Sequence, residues 1–179
     1  MTSHTTSTLT YKRDGTYVSA TINHPAVDPH RKEAIDYFAT NNCRIGIDSE
    51  DVPPWLAELD SELQEEIVKN HLELTNLYSL RIPESATIRS EQLRLLNHMA
   101  DLKHLYIAFP CIAPDDMRFL ACLVRLEILT LIGKAFGDDH LAHLPGLANI
   151  KMIDIQTTAV TASVARRLQE EYPTAKIYC

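Results

Sequence analysis

Glycine is scarce, with 5 in 179 residues. That leaves no Gly-rich loop to cradle a phosphate, and the GxSxG signature of a serine-hydrolase elbow is absent. Cysteine is sparse too. The four thiols, Cys43, Cys111, Cys122 and Cys179, are widely spread and form no CxxC pair. This spacing argues against a disulfide framework and against a structural zinc site, and for free thiols in a reducing cytosol. Positive charge is the minority sign, with 17 Lys and Arg against 24 Asp and Glu and a net charge of −7. No basic stripe is visible, which excludes nucleic acid as an expected partner. Long apolar runs are missing. The longest, near Leu105–Ala113, is far too short to cross a membrane. The opening MTSHTTSTLTYKRDG is polar and has no apolar core, so no secretory signal is expected. Together these shortages lead us to expect a cytoplasmic protein with no cofactor and no membrane or nucleic-acid partner.

What is present is a period. Three segments beginning at Leu102, Leu126 and Ile150 lie 24 residues apart. Equivalent offsets give Leu102, Leu105, Ile107, Ile112, Met117, Leu120 and Leu123, then Leu126, Leu129, Leu131, Phe136, Leu141, Leu144 and Leu147, then Ile150, Ile153, Ile155, Val160, Ala165, Leu168 and Glu171. Twenty of these twenty-one positions are apolar in a chain that is 45% apolar, with Glu171 the exception. A fourth turn fits upstream with one extra residue near Ser85–Thr87, namely Leu77, Leu80, Ile82, Ile88, Leu93, Leu96 and Met99. A terminal fragment from Thr174 carries Ile177.

Within each turn the spacing changes. The first part alternates, as a short strand with every second side chain inward would. The second part places apolar residues three apart, as one face of a helical or 3₁₀ segment would. A single strand and helix of this length cannot bury its own apolar face. Stacked copies can, by forming a ladder of parallel strands backed by helices.

The segments LKHLYI, LEILTL and IKMIDI resemble the LxxLxL core of the leucine-rich-repeat family, in its longer, ribonuclease-inhibitor-like repeats. The resemblance covers Leu77–Cys179. It implies an α/β solenoid with a parallel strand ladder, convex helices and a concave sheet that docks partner proteins. At the ninth position, where the family uses Asn, Cys or Thr to satisfy the bend, this chain has Ser85, Pro110, Lys134 and Thr158. Ser and Thr can do that work and Pro and Lys cannot, so irregular bends are expected.

Residues 1–76 are read as a small α+β cap, and 77–179 as four full turns with a terminal strand. In the cap, Thr8–Ile22 suggests a hairpin turning at Asp14-Gly15, with Val18, Ala20 and Ile22 on one face. Asp28-Pro29 is a helix-start signal, Ala34, Ile35 and Phe38 a buried stripe, and Asn41-Asn42 a stop. Cys43–Ile47 reads as a strand with Ile45 and Ile47 inward, in the cap or as a first rung of the ladder. After Val52-Pro53-Pro54, Trp55–Lys69 reads as a helix with Leu56, Leu59, Leu63 and Ile67 on one side and Glu58, Asp60, Glu62, Glu65 and Glu66 on the other.

If the Leu and Ile of each strand point inward, their neighbours point outward in columns. The candidate partner-binding face is Arg81, His104, Tyr106, Ile128, Thr130, Ile132, Met152, Asp154 and Tyr178, mixing aromatic, aliphatic and charged groups as binding faces do. The bland alternative is that the apolar members are covered by the N-terminal segment or merely scattered. A second function is self-association through an exposed edge at Ile177–Cys179, giving a homodimer. A third is an enzyme with its site in the cap. The sole metal-like cluster is Asp138-Asp139-His140 with His143, a weak candidate lacking the HExxH spacing. The preferred reading there is a helix capped by Asp138 or Asp139 with His140 and His143 on its solvated side.

Overall fold

The computed structural model describes residues 4–13, 16–25, 30–47, 77–108 and 111–179. The hairpin is present: β1 (His4–Arg13) runs antiparallel to β2 (Thr16–Pro25), with Arg13 opposite Thr16. That register leaves a two-residue connection, where Asp14-Gly15 was expected to turn. Its turn residues, and the side chains of Val18, Ala20 and Ile22, lie outside the described residues, as do Asp28-Pro29 and the whole of Trp55–Lys69.

Helix α1 (Arg31–Thr40) begins two residues later than the Asp-Pro signal suggested, with His30 at its N-cap. Ala34, Ile35 and Phe38 are its buried stripe. Asn41 closes it with its N–H on the Tyr37 and Phe38 carbonyls, and Asn42 reverses the chain at φ 63°. Asn is one of the few side chains that tolerates this left-handed conformation. The Arg31 guanidinium ties the start of α1 to Asp101, 2.7 Å away and mostly buried.

The centre is a six-stranded mixed sheet in which strand order follows chain order: β3 (Arg44–Ile47), β4 (Leu77–Ile82), β5 (His104–Ile107), β6 (Ile128–Leu131), β7 (Met152–Asp154) and β8 (Lys176–Tyr178). β3 is antiparallel to β4 and every later pair is parallel. Leu80 stands beside Leu105, Leu105 beside Leu129, Leu129 beside Ile153, and Ile153 beside Ile177. The pairing therefore advances by the same interval as the apolar period. Backbone bonds carry the ladder past the strand ends, as with Lys103 N–H to Tyr78 O (3.1 Å), Ala108 N–H to Ile82 O (2.8 Å), Ile132 N–H to Ile107 O (2.8 Å) and Lys151 N–H to Glu127 O (2.8 Å).

Alternation follows from the strand period. Leu80, Ile82, Leu105, Ile107, Leu129, Leu131, Ile153 and Ile155 are buried on one side of the sheet. Behind them lie the return segments: two 3₁₀ stretches, Ser90–His98 and Pro114–Cys122, then helices α2 (Asp138–Ala142) and α3 (Ala162–Glu171). Leu93, Leu96, Met117, Leu120, Leu141 and Leu168 come from these segments into one continuous core with the strand residues. Each such side chain contributes about 1.5–3 kcal/mol on burial. The extra residue of the first turn is absorbed between β4 and the first 3₁₀ stretch, where Ala86 and Ile88 are both buried.

The apolar template fails at one site. Glu171 is exposed, and Tyr172 is 7% exposed in its place. The reason is geometric: α3 turns at 3.6 residues, so after Ala165 and Leu168 the next inward side chain is four along rather than three.

Adjacent turns are also stitched by polar groups. The Ser90 hydroxyl accepts from Ala113 N–H (2.7 Å) and donates to the Asp116 carboxylate. Asn149 donates to Val124 O (2.6 Å), Arg167 to Leu141 O (3.1 Å), and the Tyr172 hydroxyl to Pro145 O (2.8 Å). Lys151 bonds Glu127 at 2.8 Å and holds its carboxyl below the usual carboxylate range. The expected bend residues behave unequally. Thr158 donates to Ile155 O (2.7 Å) and accepts from Val160 N–H (3.4 Å). Lys134 is exposed, and the backbone there turns at Gly133 with φ 107°, which a Cβ would strain.

Candidate functional site

The outward side of the sheet collects the residues that alternation assigned to it. Register sets Arg81, Tyr106, Thr130 and Asp154 side by side on β4–β7, with Tyr178 following on β8. A second column runs His104, Ile128, Met152, Lys176. Ile132 lies just past β6, held by its N–H on Ile107 O. Neighbouring rungs are about 4.8 Å apart, so each side chain is shaded by the next. His104, Tyr106, Ile128, Thr130, Ile132, Met152 and Asp154 are half-buried, and Arg81 and Tyr178 are exposed.

Cross-rung contacts preorganise the early end of this surface. The Arg81 guanidinium lies 4.0 Å above the centre of the Tyr106 ring, a cation–π contact. The Tyr78 ring sits 4.2 Å from that of His104, with the Lys103 ammonium 5.5 Å above Tyr78. At the far end the Asp154 carboxylate accepts the Gln156 N–H (3.2 Å). Arg44 joins the surface from β3, directly opposite Arg81. The repeat template does not reach Arg44, because β3 runs against the other strands; only its alternation with Ile45 hinted that it faces outward.

Comparison of the chain with protein-family models, with curated proteins and with solved structures yields no match.

The histidine pair reads differently from expectation. His140 is not on a solvated face. Its Nε2 lies 2.9 Å from Ile112 O, which can only accept, so Nε2 carries the proton. Its Nδ1 accepts the Gly137 N–H at 3.3 Å. Both ring nitrogens are thus spent, Nδ1 within its own turn and Nε2 on the turn before it. His143 is exposed, with Nε2 3.5 Å from Asp115 Oδ1. Asp138 does not cap its own helix either. Its carboxylate accepts the Thr161 N–H (2.8 Å) and hydroxyl (2.9 Å), fixing the start of α3 in the next turn. Among the described residues no group of three or more His, Cys, Asp or Glu side chains could hold a metal ion.

Two of the thiols are held in the unreactive form. Burial pushes Cys43 and Cys122 up to about 11, away from the thiolate form that reacts. Cys111 and Cys179 are exposed, and all four cysteines are free. Among the described residues no helix is long and apolar enough to cross a membrane.

Proposed function

We propose that this chain is a small leucine-rich-repeat-like solenoid that binds another protein on the outward face of its sheet, without chemistry of its own. The observation that carries the reading is the common register of β4–β8. It joins Tyr106, Ile128 and Met152 into one patch bordered by Arg81 and Asp154, on strands anchored from behind by a packed core. Aromatic, Met and Arg groups on a rigid support are the usual anchors of a protein interface. In this reading the module works in the cytoplasm, where four unpaired cysteines stay reduced.

The test is affinity capture from native lysate with wild-type protein beside Tyr106→Ala and Met152→Asp. Both residues are half-buried on the outer side, so their replacement leaves the core intact. Partner capture is expected to be lost while the melting temperature barely moves. Capture equal to wild type removes these residues from the interface.

A second reading is supported by one observation: β8 is last in the sheet order, and no strand among the described residues pairs with its far side. Such an edge can add a strand from a second copy. Light scattering decides it, since a stable dimer that Ile177→Pro dissociates favours self-association over partner binding.

A further inference from the structure

The charges on the outward face have a direction. Arg44 and Arg81 are direct cross-strand neighbours in an antiparallel pair, so both side chains leave the same side of the sheet with Cβ atoms about 4.5–5.5 Å apart. Like charges in that relation destabilise a sheet. Both are exposed, and neither has a carboxylate within ion-pair distance among the described residues. Stacking on Tyr106 orients the Arg81 guanidinium and leaves its edge N–H donors unspent. The two arginines border an open cleft of about 620 Å³ together with Asn42, Pro83 and Ser85.

Asp154 lies at the other end of the same column, beyond Tyr106 and Thr130. It accepts one backbone N–H and makes no ion pair among the described residues. Three strand spacings separate it from Arg81, about 14 Å, which an extended peptide covers in about four residues. Ile128 and Met152 flank the space between. The chain as a whole carries −7, a field that repels a free small anion. A peptide overcomes it by bringing apolar contacts and a positive charge of its own.

We propose that Arg44 and Arg81 clamp the carboxylate of an acidic residue in a partner peptide that lies extended across the strands, with a basic residue about four positions away on Asp154 and an apolar side chain between them on Ile128 and Met152. This rests on the protein-binding reading and specifies the partner's chemistry. Two guanidinium groups on one carboxylate make charge-assisted bonds, about twice as strong as neutral ones.

The experiment is selection from a random short-peptide display library on four immobilised proteins: wild type, Arg44→Ala/Arg81→Ala, Asp154→Lys, and Tyr106→Ala/Met152→Asp. Wild type is expected to enrich peptides with an acid and a base four apart around an apolar residue. The arginine double variant loses the acid from that consensus and binds the synthesised wild-type consensus at least about tenfold more weakly by fluorescence anisotropy. Asp154→Lys replaces the selected base by an acid, a change of preference that mere loss of folding does not produce. Peptides that need Tyr106 and Met152 but carry no acid overturn the clamp and leave the face as a binding site. Peptides indifferent to Tyr106→Ala/Met152→Asp, or no enrichment on wild type, overturn both. Wild-type protein that sediments as a dimer, dissociated by the arginine substitutions, assigns the face to a second copy and also overturns the clamp.

Discussion

The early and late returns of this chain solve one packing problem in two ways. The stretches Ser90–His98 and Pro114–Cys122 are 3₁₀, and their inward residues are spaced by three: Leu93, Leu96, Met99 and Met117, Leu120, Leu123. With three residues per turn such a spacing makes a straight buried line. Helix α3 is α-helical, and its inward residues, Ala165, Leu168 and Tyr172, are spaced by three and then four. The sequence ASVARRLQEE is rich in strong helix formers, whereas SEQLRLLNH ends in Asn and His and PDDMRFLAC carries two Asp, a Phe and a Cys, all weaker formers. The lesson is that strands set the repeat, while each return chooses the helix type its own residues favour.

The comparison is sharpest where burial is deepest. Leu120→Ala and Leu168→Ala each remove a side chain with 0% exposure, and each is expected to cost about 3 kcal/mol in urea unfolding. Unequal losses, with one near zero, would mean that the two kinds of return do not share one core. Next comes the displaced site. Tyr172→Ala is expected to cost about 3 kcal/mol, while Glu171→Leu, which restores the apolar template, changes stability by less than about 0.5 kcal/mol. A clear stabilisation by Glu171→Leu would put that residue inward and refute the α-helical turn. Asp138→Ala removes both bonds to Thr161 and should lower stability by about 1 kcal/mol, with the loss of amide hydrogen-exchange protection centred on the start of α3. The smallest contrast uses exposed positions. Arg166→Gly in α3 should cost about 0.8–1 kcal/mol, and Arg94→Gly in the first 3₁₀ stretch measurably less. Equal costs would erase the distinction between the returns.

The sheet was legible because strand alternation and a fixed interval act together. Once Leu80, Leu105, Leu129 and Ile153 are set at equivalent offsets, a slip of one residue would turn every inward side chain to solvent. The outward columns follow from the same constraint, so alternation alone puts Tyr106, Ile128, Met152 and Asp154 on one side. Helix type was not legible, because a three-residue apolar spacing suits both a 3₁₀ turn and a short α-helix. Polar roles escaped for a different reason. His140 and Asp138 bond to the neighbouring turn, and nothing local in Asp138-Asp139-His140 distinguishes that from self-capping. Arg44 was missed because its partner across the strand pair lies far along the chain in an antiparallel strand that the period does not describe.

The constant interval from β5 onward has a consequence for how the molecule can change in length. Between β5 and β8 the pairing partner of every paired residue lies 24 positions downstream. A tandem duplication of one such unit would slot in as a further layer and leave both ends undisturbed. An insertion of half that size inside a strand-and-return unit would leave polar positions facing the interior. Growth and shrinkage of this protein are thus quantised, and a natural relative with a longer sheet should differ from it by whole units.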